Sequence, residues 1–115
     1  MIQVIAAVWR TIMVVRAPRR NPARPPTHPG AILRHDVLPS LGKTKSEIAA
    51  LLGISRQSLH NILRELAPIT PKMAVRIGKL CGNGPGLWVR MQAAHDLWHA
   101  ERNVDVSRIP TLSAA

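Results

Sequence analysis

An all-α fold is what this sequence predicts, and three observations predict it. Apolar residues recur at the three-and-four spacing of a buried helix face through residues 28–103. No run in that stretch alternates with the period of two that marks a strand. Helix-start and helix-stop residues punctuate it at regular intervals. Five helices are expected, two of them joined as a helix-turn-helix. They follow a basic Pro/Arg-rich leader over residues 1–27 and precede an irregular tail over residues 104–115.

The first helix is expected to begin near Pro29-Gly30 and to run to Val37 or Leu38, with Ile32, Leu33 and Val37 as its apolar stripe. Pro39 should end it and leave LPSLGK as a loop, because proline lacks the amide a helix interior needs. Thr44 opens the second helix. With Glu47 three residues on, it has the capping-box pattern, in which hydroxyl and carboxylate satisfy free backbone amides reciprocally. Ile48, Ala49, Leu51 and Leu52 are expected to face inward, and Gly53 closes the helix as a residue able to take positive φ. Ser55 is the N-cap of a third helix whose core positions are Leu59, Ile62 and Leu63. Ala67-Pro68 ends that helix. Thr70 and Pro71 then give a cap and first turn for a fourth helix through Met73, Ala74, Ile77 and Leu80. Cys81 to Gly84 closes it. Pro85 starts a fifth, Gly86 to about Arg102, carrying Leu87, Trp88, Met91, Ala94, Leu97 and Trp98.

TKSEIAALL-GISRQSLHNIL is therefore the informative stretch. Two helices that cross steeply must approach closely, which accounts for the small Ala49 and for Gly53 at the turn. On the third helix Arg56, Gln57, His60, Asn61 and Arg64 are the positions left for solvent, and Gln57, His60, Asn61 and Arg64 share one face. Gln and Asn side chains can pair bidentately with adenine, and Arg with guanine, in a major groove. Gln57 and Ser58 lie in the first turn, the end that enters deepest. Thr44, Lys45 and Ser55 stand at helix N-termini, where hydroxyls and backbone amides suit phosphate oxygens. Any one of these residues is as readily plain solvated surface; the face as a whole carries the reading.

Net charge is +10 over 115 residues, which points to a polyanionic partner. Its distribution qualifies that statement. Residues 1–27 hold Arg10, Arg16, Arg19, Arg20 and Arg24 and no acid, whereas residues 44–66 set Lys45, Arg56 and Arg64 against Glu47 and Glu65. The motif is nearly neutral, so pattern and not bulk charge supports recognition. The leader has two readings: a basic arm along phosphates or in a minor groove, or an overlong start over residues 1–12 before a true initiator at Met13, with the rest a disordered leader, the weightier of the two. Met1 to Val15, the most apolar run, is interrupted by Arg10 and falls short of the ~20 residues of a membrane span. It lacks the basic start and cleavage site of a signal peptide. A single cysteine, Cys81, excludes an internal disulfide and fits a reducing cytoplasm.

HPGAILRHDVLPSLGKTKSEIAALLGISRQSLHNIL followed by ITPKMAVRIGKLCGNGPGLWVRMQAAHDL resembles the HigA family of antitoxins, within the lambda-repressor-like helix-turn-helix group. The HPG opening, the Ile69–Gly78 stretch and the Trp88, Gln92, Asp96 spacing carry the resemblance. It implies a lambda-repressor-like DNA-binding domain and a homodimeric antitoxin of a type II toxin–antitoxin module. Such a protein binds a HigB-like, RelE-type ribonuclease toxin and represses its own promoter at a palindromic double-stranded operator. The DNA-contacting surface it implies is Thr44, Lys45, Ser55, Arg56, Gln57, Ser58, His60 and Asn61. Lys45 stands where the family often has glutamine, and the RELAP loop after the third helix is less basic than in many relatives. The leader lies outside the family pattern. The alternative is a solitary helix-turn-helix regulator without a toxin partner.

Other chemistry is weakly supported. His95 and His99 are one helical turn apart but lack a third ligand at motif spacing, so no metal or other cofactor is expected. Cys81 reads as a small buried hydrophobe. Neither a phosphate-cradling glycine loop nor a pair of carboxylates suited to a cleft is visible, so an enzyme is not expected. Trp88 is expected in the core, with Gln92 and Asp96 binding backbone at a helix junction, while Leu97 and Trp98 are candidates for a dimer or toxin interface.

Overall fold

The structure, a computed structural model, describes residues 22–112. The expectation of a start at Met13, and that of a disordered or DNA-following leader over residues 1–27 except for its last six residues, fall on residues 1–21, outside the described residues. Five helices and no strand occur among the described ones. The first, α1, is one rod of three contiguous pieces: Pro29–Ile32, a π-helical Leu33–Val37, and Leu38–Leu41. It is followed by α2 (Lys45–Leu52), α3 (Arg56–Leu63), α4 (Pro71–Cys81) and α5 (Gly86–Asn103). No helix among the described residues is long and apolar enough to cross a membrane.

Pro39 does not end α1, contrary to the sequence expectation. The wider turn of Leu33–Val37 closes when the Leu38 amide donates to the Leu33 carbonyl, and a fresh α-turn starts at Leu38. Pro39 then occupies the first turn of that segment, where a missing amide costs nothing. The Ser40 hydroxyl donates to the Val37 carbonyl at 2.6 Å. The rod stops at Gly42 instead.

Trp88 is wholly buried at the centre of the core, among Ile32, Ile48, Leu59, Leu63 and Ile77. Helix α1 packs on α3 and α5, α2 on α3 and α4, and α4 on α5. Leu51 corrects the sequence reading: it is 58% exposed, while Ile48, Ala49 and Leu52 are buried. At 3.6 residues per turn, Leu51 lies roughly 100° from the middle of that buried stripe. Gln92 is buried and, as expected, meets backbone, accepting from the Ile69 amide at 2.8 Å. Asp96 does not reach backbone. It accepts from Gln92 Nε2 at 2.9 Å and so orients the Gln92 amide.

The HPG opening has two physical causes. His28 is the N-cap of α1, its Nδ1 accepting from the Gly30 amide at 2.9 Å. Gly30 lies where α1 meets the backbone of α3, and a Cβ there would come within 1.9 Å of the Ile62 carbonyl oxygen. The chain leading into His28 runs along α5. Trp98 Nε1 donates to the Pro22 carbonyl at 3.1 Å, and Arg102 reaches the same oxygen at 3.2 Å. The guanidinium of Arg102 also lies 3.6 Å over the Trp98 ring. Trp98, a candidate for contact with another protein, is thus engaged by its own chain, while Leu97 remains 60% exposed.

Two outcomes follow from this end of α1. Alanine at position 30 forces the α1–α3 contact apart against backbone, so Gly30→Ala should cost about 3 kcal/mol of unfolding free energy in urea; a loss under about 1 kcal/mol would mean the helices do not meet as described. His28 is held below its ordinary 6.5, first by burial and then by nearby His95, with Glu65 and Asp96 acting the other way. Its contribution to stability is therefore complete above pH 6.5 and is lost as pH falls through the lower folded value. The urea midpoint should drop between pH 7.5 and 5, and His28→Asn, which keeps an acceptor for Gly30 but does not titrate, should flatten that drop.

Candidate nucleic-acid interface

The candidate interface begins with two N-caps. The Thr44 hydroxyl accepts from the Glu47 amide at 3.1 Å, and the Glu47 carboxylate accepts from the Thr44 amide at 3.3 Å, completing the capping box of α2. Hydrogen bonding to the carboxyl from the Thr44 backbone amide, and then from its hydroxyl, holds Glu47 below its usual range. Ser55 caps α3 in the same way, accepting from the Ser58 amide at 3.0 Å and donating to the Ser58 hydroxyl at 2.9 Å. Between them Gly53 has φ +72, a value at which only glycine is unstrained. The Ile54 amide donates back to the Ala49 carbonyl at 3.0 Å, which folds the turn onto α2.

Helix α3 is only eight residues long and divides cleanly. Leu59, Ile62 and Leu63 are buried; Arg56, Gln57, Ser58 and His60 are exposed, and Asn61 is half-buried. Gln57 Nε2 donates to Asn61 Oδ1 at 2.9 Å, so the two amides are already oriented with respect to each other. Gln57 keeps its own oxygen for an incoming donor, and the Asn61 amide nitrogen is likewise not consumed by that bond. Arg64 is exposed on the C-cap, one residue beyond the last helical turn. Thr44 and Lys45 are exposed at the start of α2. The structure thus gathers the sequence-selected residues around the turn and the outer face of α3.

Four residues near this surface escaped the sequence reading of the interface. Arg34 of α1 donates through Nη1 to the Leu63 carbonyl and reaches the Glu65 carboxylate at 3.4 Å. Arg76 of α4 donates to the Leu52 carbonyl at 2.8 Å. Glu65 itself takes φ +61, an uncommon conformation for a non-glycine residue, as the chain leaves α3. Gly30 seats against Ile62. A local signal existed only for Gly30, in the HPG triplet.

Among the described residues no group of three or more His, Cys, Asp or Glu side chains is arranged to hold a metal ion. His95 Nδ1 donates to the Pro26 carbonyl at 2.8 Å, and its ring lies edge-on to His28 and tilted against His99. Cys81 is buried, and burial pushes its thiol up to about 11, which removes it as a nucleophile near neutrality.

Comparison with known proteins agrees with this geometry. Residues 38–88 match the helix-turn-helix family HTH_3. The chain is 33% identical over 98 residues to the uncharacterized HTH-type transcriptional regulator YbaQ of Escherichia coli K12, covering 82% of this chain and 87% of YbaQ. It is 29% identical over 79 residues to antitoxin HigA-1 of Vibrio cholerae, covering 69% and 74% of the two chains. Among solved structures, antitoxin GraA in complex with its operator superposes with a TM-score of 0.72 at 31% identity, over 84% of this chain and 99% of GraA.

Proposed function

Because the chain belongs to the helix-turn-helix family HTH_3, with the HigA and GraA antitoxins among its homologues, we propose that it is the antitoxin of a type II toxin–antitoxin module. In this reading it binds and neutralises a HigB-like ribonuclease and represses its own operon as a homodimer on a palindromic operator. One observation carries the proposal: α3 offers a polar outer face, Arg56, Gln57 and His60 with Asn61 behind, on a scaffold that GraA, seen on its operator, shares over nearly its whole length.

The roles divide by chemistry. Gln57 and Asn61 present amide donors and acceptors suited to the edge of adenine, and Arg56 or Arg64 a guanidinium suited to guanine or phosphate. Thr44, Lys45, Ser55 and Ser58 stand at the N-terminal ends of α2 and α3, where free amides and hydroxyls favour phosphate oxygens. His60 lies on the outer face beside them. One domain of this size reads few bases, which favours two copies on a two-fold site. YbaQ carries the name of a transcriptional regulator, and this supports a second reading in which the same domain regulates without a toxin.

Two experiments test the halves separately. The double variant Gln57→Ala, Asn61→Ala should lose about 1–3 kcal/mol of discrimination between operator and scrambled duplex, measured by fluorescence anisotropy. Because the two side chains are hydrogen-bonded to each other, each single variant should already lose most of it. Retained discrimination in the double variant would remove α3 as the reading helix. For the second half, co-expression with an adjacent small basic open reading frame should yield a copurifying complex and relieve growth arrest. No complex, alongside intact operator binding, would favour the solitary regulator.

A further inference from the structure

The helix-turn-helix leaves a carbonyl at each of its helix ends that it does not satisfy by itself. In α2 the Gly53 amide returns to Ala50 at 3.1 Å and the Ile54 amide to Ala49 at 3.0 Å. The Leu52 carbonyl, last of that helix, is reached from outside the unit by Arg76 of α4. At the far end of α3 the Glu65 amide returns to Ile62 at 3.0 Å and the Leu66 amide to Asn61 at 2.8 Å. The Leu63 carbonyl is reached by Arg34 of α1, whose fork also meets the Glu65 carboxylate. A cation at a helix C-terminus is favoured in addition by the helix dipole.

The geometry points to Arg76 and Arg34 as positioning residues for base recognition, fixing the pose of α3 from the turn before it and the carbonyl after it without touching DNA. This rests on the reading that α3 enters the groove. The argument is one of tolerance: a binding constellation works only when held within about 0.5 Å of its productive geometry. Helix α3 has few means of holding itself there, with three buried side chains in eight residues. Gly53 and Arg76 are matched to each other. A Cβ at Gly53 would lie 2.8 Å from Arg76 Nη1, so glycine serves both the positive φ and the passage of the guanidinium to Leu52. Arg34 does the corresponding work at the exit, bridging the Leu63 carbonyl and the residue that turns the chain away at φ +61. Both contacts come from helices that hold the core, α1 and α4, so they transmit the rigidity of the body to the exposed helix.

The test uses the full chain with Arg76→Met, which keeps most of the apolar stem and removes the donors, and Arg76→Lys, which keeps one donor. Amide hydrogen exchange without DNA should quicken at residues 53–58 in Arg76→Met and stay unchanged in α5. The ratio of operator to scrambled-duplex affinity should fall about tenfold, the size of one mismatched base pair, with the salt slope unchanged. Arg76→Lys should recover most of that ratio. A salt slope lowered by about one with the ratio intact would make Arg76 a phosphate contact and overturn the proposal. Unchanged exchange at the turn would overturn it as well. Should Arg76→Met not fold, Arg76→Gln, whose amide is too short to reach Leu52, reads the same quantities. Lack of operator preference in the unmodified chain would sink the DNA reading and this proposal with it; preference kept by Arg76→Met sinks the proposal alone.

Discussion

Helix α3 has to face outward, and an eight-residue helix is too short to persist in water on its own. Its apolar half consists of Leu59, Ile62 and Leu63, all buried against the rest of the domain. Everything else in the structure serves that constraint. Ser55 closes its start, Gly53 sets the angle at which it leaves α2, and Gly30 lets α1 approach near enough to seat its last turn. The core beneath, with Trp88 wholly buried at its centre, makes α1, α4 and α5 a rigid support. The outer face can then be polar throughout, because none of its side chains is needed for folding.

The same division explains the electrostatics. Half of the +10 charge lies in residues 1–27, and the helix-turn-helix itself is nearly neutral. Attraction to a polyanion and discrimination among sequences are therefore separable in this chain. Charge raises affinity for any duplex and is screened by salt. Discrimination depends on where a few amides are held. The hydrogen bond between Gln57 and Asn61 fits the second role, since it restricts two side chains that would otherwise lose rotamer freedom on binding. Pro22 and Pro26 add a link between the two parts. Their carbonyls are bonded by Trp98, Arg102 and His95, so the chain that continues back into the basic leader is fixed to α5 where it joins the body.

Local signals were reliable wherever one residue does one job. Thr44 with Glu47, Ser55, and Thr70 with Pro71 each cap a helix through a group within three residues of the amide served. The buried face of α3 followed from spacing alone; in α4 Ala74 and Ile77 are buried as expected, while Met73 and Leu80 are half-buried against the core. Errors arose where a rule met a compensating neighbour. Pro39 reads as a helix end, but the π-turn before it puts it in the first turn of a new helical segment, where a missing amide is tolerated. Leu51 reads as core in an apolar run, but it lies roughly 100° round the helix from the stripe of Ile48, Ala49 and Leu52 that meets the other helices. Trp98 reads as free for a partner because nothing in α5 reveals that Pro22, 76 positions earlier, will lie beside it.

By itself the sequence determined an all-helical domain, the limits of its turn, and the residues that stand on the outer face of α3. These depend on periodicity and on contacts within a turn or two, which a local window contains. Only the tertiary structure decided how that face is held. Arg34 meets Leu63 across 29 positions and Arg76 meets Leu52 across 24. Gly30 owes its identity to a carbonyl on a different helix. A carbonyl left open at a helix end carries no sequence signature of its partner, since any long cation brought near by the packing can fill it. The outer face of α3 was legible because its side chains are local; the contacts at its two ends were not, because those groups come together only when α1 and α4 are folded around it.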